Sequence, residues 1–168
     1  MKVCFIGHRT VENSEELASL LNDVVVTLIN NGATTFLFGS MSEFNDLSWQ
    51  VVTNLQKKNF AIKRVYVRSA FQHIDKSYKD YLLSSYEDTY FPHKIEKAGK
   101  YSYLERNYIM IDTSDVCVFY YNENYIPPLK RQPKHNKLLP KSRNSGTKLA
   151  YSYALHKKKE IVNLYKTK

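Results

Sequence analysis

Apolar residues recur along the chain at two periods in turn, and the succession spells out strands and helices that alternate. Lys2 to Ile6 is a short apolar run that stops at Gly7, as a buried strand does before a turn. Asn13 and Glu16 have the spacing of a capping box. Leu17, Leu20, Leu21, Val24, Leu28 and Ile29 then repeat at helical intervals up to Gly32. Thr34 to Phe38 is β-branched and aromatic and ends at Gly39, which predicts a second buried strand. Leu47, Val51 and Leu55 share one stripe of a helix over 44–57, and 61–67 alternates as a third strand.

Residues 68–100 show no clean period and carry the turn signal Phe91-Pro92, so this stretch predicts an excursion with one short helix. Beyond it, 101–113 predicts a helix, 115–121 an apolar strand, 145–158 a helix and 160–165 a last strand. Between them, 122–144 holds Pro127, Pro128, Pro133 and Pro140 among basic residues. A loop of that length within a compact domain points to function or disorder. Strands alternating with helices imply right-handed crossovers. The expected fold is therefore one Rossmann-like α/β domain over 1–168, with a mainly parallel sheet of about five strands and helices on both faces.

Composition narrows this picture. A chain of 168 residues with 43% hydrophobic content supplies one sizeable core. The opening apolar run is too short for a signal peptide, and no stretch approaches the roughly 20 apolar residues of a membrane span. A cytoplasmic protein without a membrane partner is expected. Cys4 and Cys117 lie inside apolar runs and predict buried, reduced thiols on neighbouring strands. The net charge of +9 points to an anionic partner, whether nucleic acid, nucleotide or acidic protein. Much of that charge is local, between Lys130 and Lys148 and at Lys157 to Lys159. Fourteen tyrosines make the chain unusually aromatic; several cluster from Tyr78 to Tyr103, and most read as half-buried packing residues.

Several chemistries lack their residues. No Gly-x-Gly-x-x-Gly follows the first strand, and neither a P-loop nor a Gly-x-Ser-x-Gly elbow is present. His8, His73, His93, His135 and His156 have no zinc-like spacing, so neither a metal nor a cofactor is expected.

Ligands of an open parallel sheet bind beyond the carboxyl ends of its strands, where the strand order reverses. The first strand delivers Gly7, His8 and Arg9 to that edge, and the second delivers Gly39, Ser40, Met41, Ser42 and Glu43, followed by Phe44. The strand ending at Tyr121 leads through the basic loop to Asn144, Ser145, Gly146 and Thr147. Small residues there allow close backbone approach, and the helix starts that follow attract anions. Taken singly, the glycines are turn residues and His8 is a satisfied surface histidine. It is their arrival at one rim that predicts a pocket for an anionic, nucleotide-like ligand, with Arg9 and Arg106 as donors of charged hydrogen bonds.

Phe-Ile-Gly-His-Arg at 5–9, Thr-Thr-Phe-Leu-Phe-Gly-Ser-Met-Ser-Glu-Phe-Asn at 34–45, Tyr103 with Glu-Arg-Asn at 105–107, Ile-Asp at 111–112, Ser114-Asp115 and Asn-Ser-Gly-Thr at 144–147 resemble the YpsA-like branch of the SLOG superfamily. That superfamily also holds the DprA-type and LOG-type proteins. The resemblance implies a homo-oligomer binding a nucleotide or an ADP-ribose derivative, cyclic forms included. The ligand would be held by Gly7, His8, Arg9, by 39–44, by Arg106 and Asn107, and by 144–147. Where LOG-type phosphoribohydrolases carry a glutamate, three places beyond the threonine, this chain has Ala150, which argues against that type of cleavage. Asn45 replaces the aspartate usual in similar members. The leading expectation is capture of a signalling nucleotide without turnover, as a sensor or a sponge. The alternative is an N-glycosidase or nucleotide hydrolase using Glu43, and the third is nucleic-acid binding through the basic loop, Lys157 to Lys159 and the tyrosines.

Overall fold

A computed structural model describes residues 1–39, 41–58, 61–126 and 145–166. Its elements run β1 (Lys2–Gly7), α1 (Ser14–Asn30), β2 (Thr35–Phe38), α2 (Glu43–Gln56), β3 (Lys63–Val67), α3 (Lys76–Leu83), β4 (Asp88–Tyr90), α4 (Lys100–Thr113), β5 (Val116–Tyr120), α5 (Gly146–His156) and β6 (Glu160–Asn163). One sheet takes all six strands in the order β4-β3-β2-β1-β5-β6, and every pairing is parallel. The chain builds outward from β1 to β4 and then returns to place β5 on the other side of β1. The strand order therefore reverses between β1 and β5.

Side chains of a strand alternate between faces, and here both faces are buried. Val3 and Phe5 of β1 join Phe36 and Phe38 of β2 in a core with Leu17, Leu21 and Val25 of α1 and Phe44 and Val52 of α2. Cys4 and Ile6 face the opposite way, into a second core with Met110 and Ile111 of α4 and Ala150 and Ala154 of α5. Cys4 and Cys117 are in direct register on β1 and β5, and both are buried free thiols, as their apolar surroundings predict. Among the described residues no helix is long and apolar enough to cross a membrane.

Two local expectations need correction. The sheet has six strands rather than about five, because Asp88–Tyr90 pairs with β3 from within the stretch expected to be an excursion. These three residues carry no alternation. A neighbouring tertiary clamp fixes them: Arg64 of β3 donates its backbone amide to Glu87 Oε2 at 2.6 Å and its Nη2 to Glu87 Oε1 at 2.6 Å. At the start of α1, Asn13 is the N-cap residue but sits at φ 48° and makes no side-chain cap bond, so the capping box does not form. The caps that do form are Ser42 on the amide of Asn45, Asp75 on that of Tyr78 and Ser145 on that of Lys148. Two of these, Ser42 and Ser145, open helices at the carboxyl edge of the central strands.

Candidate functional site

Gly39 follows the last residue of β2, and Arg106 reaches it from α4. The guanidinium Nη1 of Arg106 donates to the carbonyl of Gly39, and its Nε donates to Asn107 Oδ1 at 3.2 Å. A Cβ built on Gly39 would lie 2.7 Å from Arg106 Cδ and 2.9 Å from its Cζ. Only glycine leaves room for the arginine to pass, which is a close approach rather than a turn requirement. Arg106 is 1% exposed, its guanidinium lies 5.7 Å from the ring centroid of Tyr103, and among the described residues no carboxylate pairs with it. Burial pulls its pKa down to about 10, against the opposing influence of Tyr66 and Tyr103, so it remains a cation at neutral pH.

One strand over, Gly7 serves two neighbours. A Cβ there would sit 2.3 Å from Phe44 Cδ1, so the glycine admits the Phe44 ring that anchors the start of α2 in the core. Thr147 Oγ1 donates to the Gly7 carbonyl at 2.9 Å and thereby ties the start of α5 to the end of β1. Gly146, by contrast, has no atom of the described residues within 4 Å of its Cβ position.

His8, expected at the ligand rim, is 1% exposed, so the alternative of a surface histidine does not hold. Its Nε2 lies 3.0 Å from the carbonyl oxygen and 2.9 Å from the amide nitrogen of Asn122, so one tautomer donates to the first and the other accepts from the second. Nδ1 is buried without a partner among the described residues. Protonating both nitrogens would bury a charged donor that nothing accepts, and burial, opposed by the Asn122 bond, lowers the pKa to about 4. The ring is therefore neutral and stacks on Tyr125, with centroids 3.9 Å apart and planes at 14°.

Glu43 is exposed, and its carboxylate Oε2 accepts from the Val11 amide at 2.9 Å, while its own amide donates to the Arg9 carbonyl. The side chain thus pins the β1–α1 loop to α2. Arg9 and Met41 are exposed, Asn107 is buried beside Arg106, and Ser145 caps α5. Ser40, Asn144 and residues 127–143 of the basic loop lie outside the described residues. The edge thus gathers Gly7, His8, Gly39, Arg106 and Thr147 on neighbouring strands and the helices that start beside them. Two clefts elsewhere do not include these residues. One, of about 270 Å³, is lined by α1 and β6 residues such as Val24, Leu28 and Val162, and the other, of about 230 Å³, by Glu12, Leu17 and Tyr165 among others.

Sequence reasoning passed over Arg68, Phe71 and Tyr125, and read as mostly half-buried several tyrosines that are exposed. Arg68, at the end of β3, donates Nη1 to the Phe71 carbonyl at 2.6 Å and keeps a buried Nε without a partner. Phe71 is 73% exposed at φ 59°, and Tyr81 (70%), Tyr101 (65%) and Tyr103 are exposed on α3 and α4. For Phe71 and Tyr81 the lack of hydrophobic period over 68–100 was the signal, since rings that do not pack inward need not repeat.

Fold and edge together define a Rossmann-like α/β protein with an arginine cradle at the carboxyl ends of its central strands. The same fold occurs in DNA processing protein A from Helicobacter pylori, a solved structure described for its single-stranded DNA binding mode. The two match with a TM-score of 0.56 and 18% identity over 96% of this chain. The chain spans 63% of the length of that protein, and at this identity the likeness establishes the fold alone. No protein-family model and no curated protein matches the sequence.

Proposed function

We propose that the protein binds a nucleotide by its phosphate at the carboxyl edge of β1, β2 and β5 and holds it without turnover. Arg106 carries this reading. The guanidinium is 1% exposed, and a buried cation without an acid partner among the described residues is costly to maintain. A phosphate over Gly39 supplies the missing charge. Around it, the starts of α2 and α5 add the partial positive charge of helix N-termini, and Gly146 leaves space for an anion to approach the second of them. Turnover has less to work with, because Ala150 is a buried core residue and the Glu43 carboxylate is engaged by the Val11 amide. The motif order from Gly7 to Thr147, on a fold shared with DNA processing protein A, supports placement in the YpsA-like branch of the SLOG superfamily.

A second reading, single-stranded nucleic acid, is favoured by the exposed rings of Phe71, Tyr81, Tyr101 and Tyr103, of which Phe71 adjoins Arg68 and Tyr103 adjoins Arg106, on a chain of net charge +9. Such rings are stacking platforms for bases, and the solved protein of the same fold is described as binding single-stranded DNA.

Titration calorimetry with AMP and with a short oligothymidylate tests both. Arg106→Met should weaken AMP binding about 10- to 100-fold, the loss of a charged hydrogen bond of roughly 1.5–3 kcal/mol. Equal affinity of wild type and variant for AMP would remove the phosphate reading. For the polymer reading to prevail, oligothymidylate must bind more tightly than AMP, with affinity falling steeply in salt and on Tyr81→Ala.

A further inference from the structure

The point where strand order reverses, between β1 and β5, is occupied by a pair of rings the phosphate cradle does not use. His8 presents one flat face there, and Tyr125 lies on it with the geometry of a stacked base: centroids 3.9 Å apart, planes at 14°. Two contacts hold the tyrosine. One is the stack, and the other is a hydroxyl bond between Tyr125 and Thr10 Oγ1 at 3.1 Å. The backbone beneath is a turn closed by the Tyr125 amide on the Asn122 carbonyl at 3.2 Å and by the Asn124 amide on Asn122 Oδ1 at 2.8 Å. His8, in contrast, is fixed: it is fully buried, its amide donates to the Tyr120 carbonyl at 3.2 Å and its ring meets the backbone of Asn122. A rigid neutral ring is thus covered by a ring on a short turn.

We infer that the face of His8 covered by Tyr125 is a subsite for a nucleobase, and that the base takes the place of the tyrosine ring. This rests on the nucleotide reading above and adds where the base lies. The ring pair and the cradle are close neighbours at the sheet edge. His8 follows Gly7 directly, Thr147 holds the start of α5 to Gly7, and the Arg106 cradle on β2 is one strand away, about 4.8 Å in a sheet. A phosphate at Gly39 and Gly146 leaves its sugar over the end of β1 and its base over His8. The neutral imidazole suits this role, because a stacked ring then meets no buried charge. Thr10 and the Asn122 turn lie at the rim of the slot, where polar edges of a base find hydrogen-bonding groups.

Three probes separate this inference from the phosphate reading: AMP, ribose 5-phosphate and adenosine, titrated into the wild-type chain, Tyr125→Ala and Tyr125→Phe. Removing the competing ring should strengthen AMP and adenosine binding several-fold in Tyr125→Ala and leave ribose 5-phosphate unchanged. Tyr125→Phe, which keeps the stack and drops the Thr10 bond, should fall between. AMP should also shift the His8 ring protons in NMR spectra, whereas ribose 5-phosphate should not. If Tyr125→Ala changes AMP and ribose 5-phosphate alike, or changes neither, the base subsite is overturned while phosphate binding stands. If ribose 5-phosphate fails to bind the wild-type chain but adenosine binds and gains in Tyr125→Ala, the phosphate cradle fails and the slot stands. Binding of none of the three overturns both.

Discussion

Gly7 and Phe44 approach so closely that a methyl group on the glycine would lie 2.3 Å from the phenylalanine ring. The ring is fully buried in the core between the sheet and α1 and α2, so it has no room to retreat. Gly7→Ala should destabilise the fold by about 1–3 kcal/mol through overpacking. Urea unfolding of Gly7→Ala, Phe44→Leu and the double variant measures it. A double variant more stable than Gly7→Ala alone shows that the two residues compete for one volume, whereas additive losses would show that the strain lies elsewhere.

Two groups give the chain separate acid-sensitive windows. His8 has a folded pKa of about 4 against an ordinary 6.5, so the unfolded chain takes up its proton first as pH falls. Its contribution to stability is complete above pH 6.5 and is lost on descent toward 4. His8→Asn should flatten that part of the stability profile in denaturant titrations. An unchanged slope would mean that His8 is not the group responsible.

Glu87 acts lower. Burial pushes its pKa up, but hydrogen bonds from Arg64 and Gln56 and the charge of Arg64 overrule this and hold it at about 2, against an ordinary 4.5. The carboxylate therefore stabilises the fold above pH 4.5, and that contribution drains away toward pH 2. Glu87→Gln should cost about 1–3 kcal/mol at neutral pH and remove the lower window. Because Glu87 leads into β4, hydrogen exchange at Thr89 and Tyr90 should rise in the variant while β1 stays protected; uniform loss of protection would show β4 is not a separate unit.

Arg106 should show the signature of a residue kept for binding. Among the described residues no carboxylate pairs with this buried cation, so an apolar side chain of similar volume removes a desolvation cost that offsets the lost bond to the Gly39 carbonyl. Arg106→Met should therefore match or exceed the wild-type melting temperature in the absence of ligand. A fall of several degrees would assign the guanidinium a structural role at Gly39 instead.

Thr147→Val removes one hydrogen bond at the junction of α5 and β1 and leaves the Gly7 carbonyl without that donor. The expected cost is about 0.5–1.5 kcal/mol, read from thermal unfolding. No loss would mean that water replaces the hydroxyl there.

How much of this was legible in the chain depends on the range of the interaction. The β1 run ending at Gly7, the Thr34–Phe38 run ending at Gly39 and the heptad-like stripe of α1 are local patterns, and the structure has them within a residue or two of the expected limits. β4 was not legible, because Asp88–Tyr90 has neither length nor alternation and is held by the Arg64–Glu87 clamp across 23 residues. Asn13 misled for the opposite reason: the right residue types at capping spacing take a left-handed backbone instead. Within the edge, the glycines were visible as turn signals, but their purpose was not. Gly39 is small because Arg106 passes it, and an arginine on a helix reads as solvent-facing until tertiary packing covers it. The burial of His8 was not legible for the same reason, since the Asn122 turn that covers it comes from 114 residues further along.

The paired thiols of Cys4 and Cys117 sit on the two strands at the middle of the sheet, with both side chains fully buried. Burial is the first of the influences that raise the Cys4 pKa, so this thiol is poorly ionised as well as inaccessible. Cys4 faces the core under α4 and α5, so an alkylating reagent reaches it when that helix layer lifts from the sheet. The rate of labelling of this cysteine thus becomes a built-in clock for opening of that face, readable without any introduced residue.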